Sequence, residues 1–154
     1  MLRFCAVILL TLAVAACGGR ESAVPAKAMQ TSASTTTVGG ATLQVSTMAV
    51  TDLNDAVARR YAIDRSNTGI LLLVTVRDAA GDGIELGDLH LEVVAGALLD
   101  AAKPLTLHPI TTGGMTDYIG VFNALPPATV QFRISAVRYG ARAEISTTAE
   151  LYPR

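Results

Sequence analysis

From Thr42 onward the sequence predicts an all-β fold, an immunoglobulin-like antiparallel β-sandwich of about seven strands with one short helix after the first strand. Three observations predict it. Apolar residues recur at every second position in one segment after another. Clusters of Gly, Pro, Asp and Asn punctuate those segments at short intervals. One stretch alone breaks the period of two, where Leu53, Val57 and Tyr61 stand four residues apart and share a helical face. Roughly seven strands in ~110 residues suit a sandwich. The chain has no Trp and no Cys after position 17, so packing alone must hold such a core.

The N-terminus reads as an export signal. Arg3 precedes an apolar run from Phe4 to Val14, too short for a bilayer span and suited to a signal-peptide core. The run closes on Val14-Ala15-Ala16-Cys17, which resembles a lipobox: residues 1–16 are the signal and Cys17 is the lipid-bearing first residue of the mature chain. The plainer reading is an ordinary cleavable signal beside an incidental cysteine. Gly18, in place of Asp, favours the outer membrane where lipoproteins are sorted by that position, which implies a lipid anchor in its inner leaflet and a domain facing the periplasm. Cys5 leaves with the signal, so no thiol or disulfide remains in the fold. Residues 17–41, rich in Ser, Thr, Ala and Gly, are expected to form a flexible tether with an r.m.s. reach of roughly 25–30 Å, leaving 42–154 as the folded domain.

Each strand has its own signal. Leu43, Val45 and Thr47 alternate. Ile70 to Val76 is a continuous apolar run, expected of a central strand. After the turn cluster Asp78 to Gly83, Leu89, Leu91 and Val93 alternate with His90 and Glu92. Leu105 and Leu107, between Pro104 and Pro109, suggest a short edge strand. Tyr118, Gly120 and Phe122 alternate after the turn Thr111 to Gly114. Val130, Phe132, Ile134 and Ala136 line one face of a long strand, and Ile145, Thr147, Ala149 and Leu151 one face of the last. Gly140-Ala141 as a type II′ turn would pair Ala136 with Ile145 and Phe132 with Ala149, putting the apolar positions on one face. Thr51 or Asp52 is expected to cap the helix.

Composition narrows function. Without Arg3 the side chains number 11 basic against 13 acidic, which argues against nucleic acid as a partner. No cofactor is called for. A hydrolase needs a nucleophile, a base and an orienting group, but the chain offers two imidazoles, His90 and His108, and no Gly-x-Ser-x-Gly elbow. An enzyme is therefore not expected. His90 and His108, on neighbouring predicted strands, form the candidate for a copper or zinc site, against the plain reading of two solvent-facing histidines. Asp78, Asp82, Glu85 and Asp88 lack the spacing of a calcium loop. Arg60, Arg65 and Ser66 follow the helix. The two arginines suit phosphate or carboxylate of an envelope glycan, lipid or protein. Alternatively, Arg65 is structural, its guanidinium bonding carbonyls left open at the helix end.

Three segments carry a family resemblance. They are Asp52-Leu53-Asn54-Asp55-Ala56-Val57-Ala58-Arg59-Arg60-Tyr61-Ala62-Ile63-Asp64-Arg65-Ser66 running into Gly69 to Val76, then Asp117-Tyr118-Ile119-Gly120-Val121-Phe122, and Val130-Gln131-Phe132-Arg133-Ile134 with Glu150-Leu151-Tyr152. Together they resemble domain of unknown function 4426, over nearly all of the chain from Thr42. Gly96-Ala97-Leu98-Leu99-Asp100 departs from the Asn-Leu-x-Gly-Gln turn common there. The resemblance implies a small exported β domain and supplies no activity, cofactor or catalytic residue. The expected role is a lipid-anchored, non-enzymatic binding or accessory module of the cell envelope, with His-based metal binding or delivery as the alternative.

Overall fold

The computed structural model describes residues 33–153, and Cys17 and the signal lie outside them. Among these residues the order is β1 (Ser34–Val38), β2 (Ala41–Ala49), a 3-10 turn (Val50–Asp52), α1 (Asp55–Arg60), β3 (Gly69–Arg77), β4 (His90–Ala97), β5 (Lys103–Pro104), β6 (His108–Thr112), β7 (Met115–Asn123), β8 (Ala128–Arg138) and β9 (Ala141–Leu151). The strands form two antiparallel sheets, β1-β2-β3-β7-β6 and β5-β4-β8-β9. The predicted all-β sandwich is what the chain forms. No helix among the described residues is long and apolar enough to cross a membrane.

The alternating positions bury where expected. Val45, Ile70, Leu72, Val74, Val93, Val130, Phe132 and Ile134 close the space between the sheets. Phe122 meets Phe132 edge to face at 6.2 Å within this core, which no disulfide or Trp supports. The unbroken apolar run of β3 has a second use. Leu71 and Leu73 point to the opposite face, where Leu53, Val57, Ala58, Tyr61 and Ile63 of the helical segment cover them. A strand between a sheet and a helix is apolar on both faces.

Four expectations need correction. The domain starts earlier than Thr42: β1 pairs with β2 from Ser34↔Val45 to Val38↔Ala41, and Val38 is buried. The Ser/Thr run looked like a tether because a half-exposed edge strand needs few apolar residues. Secondly, Leu105 and Leu107 do turn inward, but they belong to an irregular connector, and the edge strand is His108–Thr112. Pro109 fits there because an edge strand leaves one side unbonded. Thirdly, the last hairpin turns at Tyr139-Gly140, with φ of +49° and +76°, and pairs Ile134↔Ile145 and Phe132↔Thr147. This is the two-residue pattern with both central φ positive. The register differs from the expected one by two residues, which returns every side chain to the same face. Lastly, the helix cap is Asn54, whose side chain accepts from Val57 N at 2.8 Å.

Candidate functional site

One flank of the sandwich is closed and the other is not. On the closed flank β1 lies against β9, with Ser34 Oγ donating to Ser146 O at 3.4 Å. On the other flank, β4 and β6 belong to different sheets, and the connector Leu105–Leu107 runs between them. Its passage needs a strand position without a side chain. A Cβ at Gly120 of β7 would stand 2.9 Å from Thr106 O and 3.0 Å from a Leu107 methyl.

Shallow grooves lie on either side of the connector. The first, of about 580 Å³, has Leu91, Val93, Leu105, Leu107 and Tyr118 as its lining, with His90 and Glu92 on the same wall. Its wall is the edge of β4. β5 covers that edge only at Val94 and Ala95, and Leu105 N adds one bond to Val93 O at 2.8 Å. By the alternation of an antiparallel ladder, Leu91 aims its amide and carbonyl the same way as Val93, outward, where no backbone group of the described residues bonds them. Burial raises the Tyr118 pKa above its ordinary value, so its phenol is a neutral group over the whole physiological range. The second groove, of about 490 Å³, is lined by Tyr61, Ile63, Asn67, Thr106, His108 and Asn123 among others.

The predicted site residues do not converge. His90 stands exposed on β4, its Nε2 at 3.3 Å from Glu92 Oε1, and His108 stands exposed on β6 in the other sheet. Pairing of their strands, the basis for a shared metal site, does not occur, because the connector between them crosses from one sheet to the other. Among the described residues no three His, Cys, Asp or Glu groups cluster as metal ligands. Of the acidic turn residues, Asp78 accepts from Ala80 N and Asp82 N, and Asp88 accepts from Tyr139 N at 2.8 Å.

Arg65 is structural in contact but not as expected. The helix-end carbonyls are already taken: Ala62, at φ +53°, and Ile63 donate to Arg59 O and Ala58 O. Arg65 instead reaches back to the helix start, bonding the Asp55 carboxylate and Thr51 O. Ser66 bonds Asp64 through both its amide, at 2.9 Å, and its hydroxyl, at 2.7 Å, and these bonds lower the Asp64 pKa. Arg60 is exposed on the last helical turn.

The bare edge of β4 and Arg138, the last residue of β8 and 4% exposed, were not legible in the sequence. Both depend on which segments meet across the fold, although the inward alternation of Leu91 and Tyr118 marks them as bordering the core.

The sequence model of DUF4426, a domain of unknown function, matches residues 35–154. The chain belongs to the DUF4426 family. The match begins inside β1, in agreement with the early start of the domain. A DUF4426 family protein from Pseudomonas aeruginosa PAO1 has a similar structure, at TM-score 0.61 and 18% identity over 79% of this chain and 96% of that one. FetP from uropathogenic Escherichia coli strain F11, isolated after recombinant expression in the periplasm, is similar at TM-score 0.54 and 9% identity, over 79% of this chain and 95% of FetP. A copper-bound variant of FetP gives TM-score 0.52 and 9% identity, over 76% and 93%. At these identities the likeness is one of fold. No curated relative matches this DUF4426 chain in sequence.

Proposed function

We propose that this DUF4426 chain is an exported, lipid-anchored, non-enzymatic module that binds a component of the cell envelope along the first groove. One observation carries the binding surface. An unpaired stretch of strand edge at Leu91 lies beside an apolar floor that includes the phenol of Tyr118. An extended polypeptide laid there gains main-chain hydrogen bonds from the edge, while Leu91, Leu107 and Tyr118 receive its side chains. Anchoring is supported by the short apolar core and the Val14-Ala15-Ala16-Cys17 box, and the periplasm by the similarity to FetP. Arg60, exposed and basic, suits an anionic glycan or lipid as an additional contact.

Two measurements test this reading. Cys17→Ser should abolish incorporation of a labelled fatty acid, and equal label in both chains refutes the anchor. A photocrosslinking residue at Thr106 should trap a discrete partner in living cells, while one at Arg142, beside the turn of the β8–β9 hairpin, should not. A similar scatter of adducts from both positions refutes the groove.

Copper binding is the second reading, favoured by the copper-bound FetP variant and by the His90–Glu92 pair. The pair supplies two donors, and water would fill the remaining positions of a bound copper ion. Copper titration of the isolated chain separates the readings: stoichiometric binding lost in His90→Ala supports this one.

A further inference from the structure

We infer that the end of the sandwich bearing Leu98, Leu99 and Leu125 dips into the phospholipid surface that holds the anchor, so that the domain stands with that end down. The inference rests on the lipid anchor at Cys17 proposed above. Leu98, Leu99 and Leu125 are 68%, 99% and 80% exposed, whereas the other leucines among the described residues line the clusters of buried residues. They come from two separate turns that the topology brings to one end. Leu98 N bonds Thr129 O at 3.0 Å, which sets the β4–β5 turn beside the start of β8, and Leu125 lies in the loop leading into that same strand. Tyr152, 52% exposed, follows β9 there, because Ala128 pairs with Leu151.

The chain enters the fold from this side but at mid-height: Ser34 lies opposite Val45, midway along β2, and beside Ser146, midway along β9. Ser34 pairs with Val45, on the side of β2 that leads to Ala49 and Ile70, whereas the Gly39-Gly40 and Tyr139-Gly140 turns lie at the other end. Fifteen residues separate Cys17 from Ala33 in the sequence. Because β1 runs away from this end, the chain that leads back to Cys17 leaves the sandwich toward it.

The chemistry of the tip selects the occupant. Leucines on protruding turns, with a Tyr beside them, match an acyl–headgroup boundary. The adjoining acidic residues Asp100 and Glu150 favour a neutral headgroup over an anionic one. Seating the leucines also aims the opposite end, where β4 begins at His90, into the periplasm. The open β4 edge is then presented away from the membrane.

The chain has no Trp, so a single introduced one reports its own surroundings. The test uses the full lipidated chain carrying Leu99→Trp or, at the opposite end, Ala141→Trp, in vesicles of phosphatidylethanolamine and brominated phosphatidylcholine. Mass spectrometry of the same preparations reads the lipid on Cys17. Leu99→Trp should shift to the blue and lose about half its emission or more to the bromines, while Ala141→Trp keeps the emission of an exposed indole. With lipid present on Cys17, equal quenching at both positions or at neither overturns the orientation alone. A blue shift of Leu99→Trp that precedes vesicle addition and fades on dilution assigns the tip to self-association and overturns it too. Absence of lipid on Cys17 overturns the anchor, and the orientation with it.

Discussion

Arg138 is 4% exposed, and its guanidinium bonds three main-chain carbonyls from two distant segments. Nε donates to Leu86 O at 3.1 Å, Nη2 to Glu85 O at 2.6 Å and Nη1 to Gly39 O, while the guanidinium carbon lies 4.5 Å from the Tyr139 ring. One side chain thus ties the β1–β2 turn and the loop before β4 to the last hairpin. A buried charge is tolerated when its donors are met, and the guanidinium offers donors from three separate nitrogens, whereas an ammonium offers its three from a single point. Arg138→Lys should therefore cost about 2 kcal/mol, read as a fall in the denaturant midpoint at unchanged slope. Arg65→Lys should cost less than ~0.5 kcal/mol, because its pair with Asp55 is open to solvent. The sequence drew attention to Arg65, which sits beside a recognisable helix. Nothing local distinguishes Arg138, whose acceptors lie 52 and more residues away.

At the scale of elements, β1 carries the clearest consequence. It covers the outer edge of β2, buries Val38 and Ala41, and its turn supplies the Gly39 carbonyl to Arg138. A chain beginning at Thr42 loses all of this. Relative to one beginning at Ser32, it should melt about 10 °C lower, corresponding to about 2–3 kcal/mol. Equal melting points would show that β1 adds nothing to the fold. The strand escaped sequence reading because four of its five residues are Ser or Thr, and the composition of a half-exposed edge is also that of a linker. The connector erred in the opposite direction. Leu105 and Leu107 have the period of a strand and the burial of one, but Pro104, without an amide, ends the β5 ladder just before them.

Over the described residues the molecule is a central sheet covered twice, by the second sheet on one face and by the helical segment on the other. Phe132 sits at the middle of the inter-sheet space at 0% exposure, whereas its neighbour Arg133 is exposed. Phe132→Ala should cost roughly 3–5 kcal/mol and Arg133→Ala less than ~0.5 kcal/mol. Chemical denaturation of the two variants measures both, and comparable losses would mean that the faces of β8 are misassigned. By itself the sequence determined which side chains face inward, that one helix interrupts the strands, and the family, and it carries the motif from which export and a lipid on Cys17 are proposed. Those features depend on local period and short motifs, which a chain carries wherever it folds. The hairpin register, the strand hidden in the Ser/Thr run, the carbonyls around Arg138 and the bare edge of β4 were decided only by the tertiary structure. A slip of two residues preserves every face, so periodicity cannot choose between registers. Which backbone group meets which side chain across 50 or 100 residues follows from how the sheets stack.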